Sequence, residues 1–164
     1  MATVNKHLSS YDASALPDAS SFRFGLVVSQ WNEEITEGLA QGALATFSDC
    51  GVAADHVTRW NVPGSFELVY GCQRMMAKHP EIDAVIAIGN VIQGETKHFD
   101  YVCQGVAQGI KDLNLMGITP VIFCVLTDNT RQQSIDRSGG KHGNKGVEAA
   151  VAAIEMAALR SATQ

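Results

Sequence analysis

The run GETKHF, at residues 94–99, combines residue types that suit the handling of a phosphate and a proton. Gly94 permits a close approach of the backbone to a ligand, and the amides at the start of a helix, together with Thr96, can receive an anion. His98 can exchange protons near neutral pH. The run therefore predicts a phosphate-and-proton site. The alternative is that Thr96 only caps the helix and His98 is an ordinary surface histidine.

Two further candidates have equally ordinary alternatives. Trp31 can stack on a planar heterocycle, or it can cover an edge of the core. Glu67 can bind sugar hydroxyls, or it can complete a capping arrangement with Ser65 at the start of a helix. The residue types alone leave both questions open.

The Gly-rich run SGGKHGNKG, at residues 138–146, resembles a phosphate-binding P-loop only superficially. No Ser or Thr follows Lys145 to hold magnesium, and no strand leads directly into the run, which excludes a nucleoside triphosphate site of that kind. No GxGxxG motif follows the first strand, so the fingerprint of a dinucleotide cofactor is missing too. The alternative interpretation is a flexible joint between helices, with Lys145 and Arg137 solvated.

Composition narrows the class of protein. The chain has 164 residues, 46% hydrophobic and 18% charged, which is typical of one globular domain. A net charge of −5 argues against a nucleic-acid partner. The four cysteines form no CxxC pair, so we expect free thiols and no metal site. No secretory signal or membrane-length apolar run is visible, and we expect a cytoplasmic protein.

Short β-rich runs alternate with helical ones beyond a patternless segment. Residues 1–22 predict a flexible N-terminal arm, and 23–164 a single domain. Strands are predicted at 24–29, 56–62, 84–92 and 120–127. Helices are predicted to begin after Asn32, which would cap the first one, after Pro63-Gly64, near Lys97 (ending near Leu115), near Thr130 and near Asn144. The third helix is expected to turn Phe99, Val102, Val106, Ile110 and Leu113 inward.

Three of the strands are almost wholly apolar, which suits parallel strands covered on both faces. Strand-helix alternation then predicts a three-layer α/β/α sandwich with a four-stranded parallel sheet, flavodoxin-like in strand order. Ligands of such sheets bind outside the carboxyl ends of the strands. The candidate residues all follow predicted strands, so we expect them at that edge.

Three segments carry a resemblance to a known family. NVPGSFEL (61–68), AIGNVIQGETKHFDYV (87–102) and SIDRSGGKHGNKGVEAA (134–150) resemble lumazine synthases, in a match that covers about residues 23 to 160. The resemblance implies an enzyme that condenses 5-amino-6-ribitylaminouracil with 3,4-dihydroxy-2-butanone 4-phosphate to 6,7-dimethyl-8-ribityllumazine. It implies no cofactor and no metal.

The resemblance also implies roles for particular residues. His98 would be the general acid and base, and Arg137 with the amides of Gly94, Glu95 and Thr96 would hold the phosphate. The pyrimidine and its ribityl chain would be bound by Trp31, Asn32, Ser65, Phe66, Glu67, Val91 and Ile92. Family members complete the site across a subunit boundary, and the positions that match the neighbour's contribution are Phe123, Arg137, Lys145 and Glu148.

The same resemblance implies a homo-oligomer. We expect a ring of five subunits and, because the 138–146 joint is compact, a hollow shell of sixty; riboflavin synthase is an expected partner. Two departures from the family's pattern bear on the site. Gln30 and Trp31 stand where Arg and Phe are common, and Gln93 replaces a frequent Arg beside the phosphate loop.

Two rival functions remain. A flavin- or lumazine-binding protein without catalysis would use the same aromatic platform and phosphate loop, but His98 and Lys145 argue against it. A purely structural shell protein is disfavoured by the intact set of site residues.

Overall fold

The computed structural model describes residues 7–117 and 119–163. Four strands, all parallel, form one sheet: β1 (Phe24–Ser29), β2 (Val57–Val62), β3 (Ala84–Ile92) and β4 (Val121–Asp128). Their order across the sheet is β2-β1-β3-β4. Each strand begins and ends within one residue of its predicted bounds. The predicted flavodoxin-like sandwich is confirmed.

Five helices connect and cover the strands: α1 (Glu33–Asp49), α2 (Leu68–Lys78), α3 (His98–Met116), α4 (Arg131–Arg137) and α5 (Lys145–Thr163). Thr130 caps α4 as part of a complete capping box with Gln133, because each side chain bonds the other residue's backbone N–H. Gly51, at φ +81°, follows the end of α1 in the left-handed conformation that glycine adopts readily. The helices begin at or near the predicted positions, and α3 ends within one residue of the predicted Leu115.

The prediction that Asn32 caps α1 with its side chain is wrong. Asn32 does precede the helix, but its backbone is left-handed (φ 60°, ψ 47°) and its side chain makes no capping bond. The amide instead donates to the side-chain oxygen of Asn90 at 2.8 Å, near the carboxyl end of β3. A long-range contact has replaced the local one.

Two apolar clusters fill the space on either side of the sheet. The first lies under α1 and α5, where Phe24 stacks on Phe47 with ring centroids 4.1 Å apart. A side chain at Gly146 would overlap the Leu39 carbonyl, so glycine is needed where α5 crosses α1. The second cluster lies under α2 and α3 and includes Leu68 and Met75. The sheet is thus covered on both faces.

The Gly-rich run was expected as a flexible joint, but it forms an antiparallel hairpin of β5 (Ser138–Gly140) and β6 (Gly143–Asn144). Asn144 anchors this hairpin. Its side-chain amide donates to the carbonyls of Gly38, at 2.8 Å, and Ser138, at 3.2 Å, and its Oδ1 accepts from Gly146 N. The run is therefore fastened to both α1 and α5.

The N-terminal segment crosses this hairpin where it is described. Leu8 N donates to His142 O at 2.9 Å, and Ser9 Oγ accepts from Asn144 N at 3.0 Å. Residues 1–6 of the expected arm lie outside the described residues, and the division at residue 22 stays a prediction. Within 7–117 and 119–163, no helix has the length and apolar character needed to cross a membrane.

Candidate functional site

A cavity of about 680 Å³ opens at the carboxyl ends of β1, β2 and β3, a size that suits a small-molecule ligand. It contains most of the predicted site residues: Trp31, Asn32, Ser65, Phe66, Glu67, Val91, Ile92, Gly94, Thr96 and His98. The remaining residues of its wall are Gly64, Asn90, Phe99, Tyr101 and Val102. The segments 31–32, 64–67 and 90–102 thus converge on one site, as expected of an open parallel sheet.

Trp31 stands at the rim of this cavity with 71% of its surface exposed. Its backbone is held, since Trp31 N donates to Pro63 O at 3.1 Å, but the indole covers no core edge. The structural alternative for Trp31 is therefore wrong. Phe66 and Tyr101 are exposed on the same cavity and leave it with an aromatic rim. A flat, partly apolar ring system is the ligand that such a rim suits.

The GETKHF run borders the same cavity and leads into α3. A side chain at Gly94 would meet no atom within 4 Å, so this stretch of backbone is open to a ligand. Thr96 Oγ1 accepts from His98 N at 3.3 Å, so Thr96 does support the start of the helix while it borders the cavity. His98 is exposed on the first turn of α3, a position that favours a bound anion.

Glu67 and Ser65 do not form the capping arrangement that was the alternative to ligand binding. Glu67 occupies the residue before α2 without a side-chain capping bond. The Ser65 hydroxyl accepts from Asn90 N at 3.2 Å and donates to Asn90 O at 3.3 Å. Among residues 7–117 and 119–163, the Glu67 carboxylate makes no hydrogen bond, so it can bind a ligand. Ser65 keeps one lone pair for a ligand.

Sequence reasoning missed some residues of the wall. Phe99 and Val102 were expected in the core beneath α3, but they are half-buried and line the cavity, while Val106, Ile110 and Leu113 are buried as predicted. Asn90 was not singled out at all. Its signal was present, because it is a polar residue inside the apolar run AVIAIGNVI. Buried polar side chains need partners, and such a residue marks a built network.

The remaining predicted residues do not border the cavity within this chain: Glu95, Phe123, Arg137, Lys145 and Glu148. Phe123, on β4, is 39% exposed and borders a shallower cavity beside α3. Arg137 ends α4, and its guanidinium donates to Gln133 O at 3.2 Å. Lys145 and Glu148 pair at 2.5 Å on the first turn of α5. One chain therefore presents most of the predicted site. Glu95 lies between Gly94 and Thr96 of the wall, and the other four residues lie elsewhere on the chain.

Two of the cysteines are buried and do not react as thiolates. Burial raises the pKa of the Cys124 thiol to about 12, and burial likewise raises the pKa of the Cys72 thiol to about 12. Both thiols pack in the core at neutral pH. In the part of the chain that the structure describes, no three His, Cys, Asp or Glu side chains are grouped so that they could hold a metal ion.

Comparisons with known proteins agree along almost the whole chain. A family model described as 6,7-dimethyl-8-ribityllumazine synthase matches residues 21–161. The chain is similar to the proteins of that name from three bacteria. Identity is 64% with the Christiangramia forsetii protein, across 98% of this chain and 95% of that protein. Identity is 65% with the Flavobacterium johnsoniae protein, across 98% of this chain and 84% of that protein. Identity is 52% with the Porphyromonas gingivalis protein, across 97% of this chain and 98% of that protein.

Proposed function

The chain belongs to the 6,7-dimethyl-8-ribityllumazine synthase family, and we propose that it catalyses the reaction for which that family is named. It condenses 5-amino-6-ribitylaminouracil with 3,4-dihydroxy-2-butanone 4-phosphate and releases phosphate and water, the penultimate step of riboflavin biosynthesis. The observation that supports this best is that one cavity combines an aromatic rim with a helix start that suits a phosphate. Neither substrate alone would use both halves.

The aromatic rim and the end of β3 bind the pyrimidine. Trp31 stacks on the ring, with Phe66 beside it. β1 pairs with β3 only as far as Ile88, whereas β3 continues to Ile92. Beyond Ile88, the backbone N–H and C=O of Asn90, on the edge of β3 that β1 leaves unpaired, are bonded to Ser65. Alternate residues of a strand direct their backbone groups to the same edge, so those of Ile92 point there too. Ile92 is therefore the residue whose backbone meets the edge of the ring.

The ribityl chain extends from the ring toward polar side chains. Glu67 and Asn32 border the cavity there, and the acidic oxygens of Glu67 accept hydrogen bonds from sugar hydroxyls. The sugar phosphate occupies the part of the cavity next to the GETKHF run, where the backbone at Gly94 and the first turn of α3 receive its anionic end. The two substrates then lie face to face. Holding them so removes translational freedom, which can supply several kcal/mol of the barrier.

His98 moves the protons of the reaction. The amine at the 5-position adds to the ketone and loses water to give an imine. Removal of a proton from the adjacent carbon then expels phosphate and leaves an enol, which is protonated at its terminal carbon and becomes a ketone. Attack of the ribityl-bearing nitrogen on this new carbonyl closes the ring with loss of a second water. An imidazole at the mouth of the cavity can take up and return these protons near neutral pH.

A neighbouring subunit completes the site. Phe123, Arg137, Lys145 and Glu148 lie outside their own chain's cavity, so we assign them to the cavity of the next subunit around a ring. Arg137 would meet the phosphate there, and its permanently charged fork suits that anion. We propose that the ring is a pentamer, that twelve pentamers assemble into a shell of sixty subunits, and that the protein associates with riboflavin synthase in the cytoplasm.

Turnover tests the proposal directly. Purified protein is mixed with both substrates, and the absorbance of the lumazine product is followed against reactions that omit either substrate. We expect product only when both substrates and enzyme are present. Binding of the pyrimidine or of riboflavin without any lumazine above the uncatalysed rate would instead identify a binding protein on this fold and refute the proposal.

A further inference from the structure

A line of buried hydrogen bonds runs from the end of β4 to the wall of the cavity. Ser134 Oγ donates to Asp128 Oδ2 at 2.8 Å. Asn90 Nδ2 donates to Ser134 Oγ at 2.8 Å. Asn32 Nδ2 donates to Asn90 Oδ1, again at 2.8 Å. Ser134 is 0%, Asn90 1% and Asp128 9% exposed, so solvent supplies little alternative hydrogen bonding.

The direction of this line is set at its Asp128 end. An ionised carboxylate only accepts hydrogen bonds, and a serine hydroxyl has a single hydrogen to give. Ser134 donates that hydrogen to Asp128, so its oxygen can only accept a hydrogen bond from Asn90. Asn90 must then turn its NH₂ to Ser134 and its carbonyl oxygen to Asn32. A rotated Asn90 amide would place two acceptors against each other in a buried site.

The orientation of Asn90 in turn fixes the orientation of the Asn32 amide at the cavity. Because Asn90 offers an oxygen, Asn32 must offer its NH₂ in return. The side-chain oxygen of Asn32, which borders the cavity, accepts no hydrogen bond from any residue in the described ranges. The backbone of Asn32 is held in place as well, since its carbonyl accepts from Ile35 N at 2.9 Å and Thr36 N at 3.1 Å.

We infer that Asn90 is a positioning residue which, with Ser134 and Asp128, fixes Asn32 so that it presents a hydrogen-bond acceptor to the cavity. The group that this acceptor selects is a hydroxyl of the polyol chain of the pyrimidine substrate, so the inference rests on the proposed function. Acting through Asn32, Ser134 and Asp128 thus favour a hydroxylated side chain over an alkyl one without touching the substrate. Neither Ser134 nor Asp128 borders the cavity.

Variants at the far end of the line test this. Ser134→Ala cuts the line, and Asp128→Asn keeps its shape but replaces the acceptor-only anchor with an amide that can face either way. For each we expect the KM of the ribityl pyrimidine to rise about three- to tenfold, the scale of one hydrogen bond. The KM of the sugar phosphate and kcat should stay unchanged. The double variant should be no worse than the more affected single one, because the line is already cut.

Two comparisons separate positioning from a general loss of stability. An analogue of the pyrimidine with an unhydroxylated alkyl chain should bind wild type and variants equally. Thr46→Val is the matched control, since it removes an equally buried hydroxyl, which donates to Gly42 O at 2.9 Å within α1. It should lower the melting temperature and leave both KM values alone.

Three results would overturn the inference while wild-type turnover is normal: unchanged pyrimidine KM in both variants, an equal effect on the alkyl analogue, or additive effects in the double variant. Absence of wild-type turnover would count against the proposed function instead. If Ser134→Ala does not fold, Asp128→Asn still decides the question, because it alters the hydrogen-bonding atoms without changing the volume of the side chain.

Discussion

Removal of the Trp31 indole should weaken the binding of flat ligands by an amount that can be worked out from its exposure. Of a tryptophan side chain of about 250 Å², 71% is exposed at Trp31. A ring stacked on one face covers about half of that exposed area, about 90 Å², which at about 25 cal/mol/Å² contributes about 2 kcal/mol. Trp31→Ala should therefore raise the Kd of a ribityl-pyrimidine analogue about 30-fold.

The measurement is isothermal titration of the analogue into wild type and variant. Trp31 lies at the surface, and its backbone amide donates to Pro63 O independently of the side chain. The free energy of unfolding should therefore change by less than about 0.5 kcal/mol in Trp31→Ala. Trp60→Phe is the matched control. Trp60 lies in β2 beside His79, away from the cavity, and its loss should leave the Kd unaltered. A Trp31→Ala variant that binds the analogue as tightly as wild type would refute the stacking role.

Three further predictions concern chemistry and thiols. His98→Ala should lower kcat by about 10²-fold or more with an unchanged oligomer size, and an unchanged kcat would remove His98 from the mechanism. Arg137→Ala should raise the KM of the sugar phosphate about tenfold or more, with far less effect on the pyrimidine, because only the former brings a dianion to the guanidinium; equal effects would contradict the assignment. At pH 8 a thiol whose pKa is about 12 is ionised in only about 10⁻⁴ of molecules. Mass spectrometry after iodoacetamide treatment should therefore find Cys72 and Cys124 modified only in unfolded protein, and rapid labelling of the native state would show that they are accessible.

The strands and helices were predictable because each has a local cause. The runs at 24–29 and 84–92 are almost continuously apolar, as strands covered on both faces must be. Thr130 with Gln133 and Gly51 mark helix boundaries through bonds and backbone angles within a few residues. Ligands of open parallel sheets bind at the carboxyl ends of the strands, and residues from three separate segments were therefore expected at one cavity, where they lie.

What was not predictable depends on contacts between distant residues. Asn32 has the composition of a helix cap, but its partner is Asn90, 58 residues away. The hairpin within 138–144 is too short for periodicity, and Asn144 fastens it to Gly38 in another helix. Whether Phe99 faces core or cavity depends on where α3 sits over the sheet, which no helical pattern specifies. Such contacts exist only in the folded chain.

In the proposed assembly, each site contains His98 from one subunit and Arg137 from the next. Complementation between two damaged subunits tests it most directly. His98→Ala and Arg137→Ala chains are produced together in equal amounts, and mass spectrometry of the intact assemblies confirms that they contain both. Turnover is measured at a sugar phosphate concentration too low for either variant alone to work.

With random placement around a ring, about one quarter of the boundaries join an intact His98 to an intact Arg137, so about one quarter of wild-type activity should return. His98→Ala chains mixed with the double variant provide the control, which should regain nothing. Mixed assemblies that contain both single variants and show no recovery would contradict the account, because both residues would then have to come from the same chain.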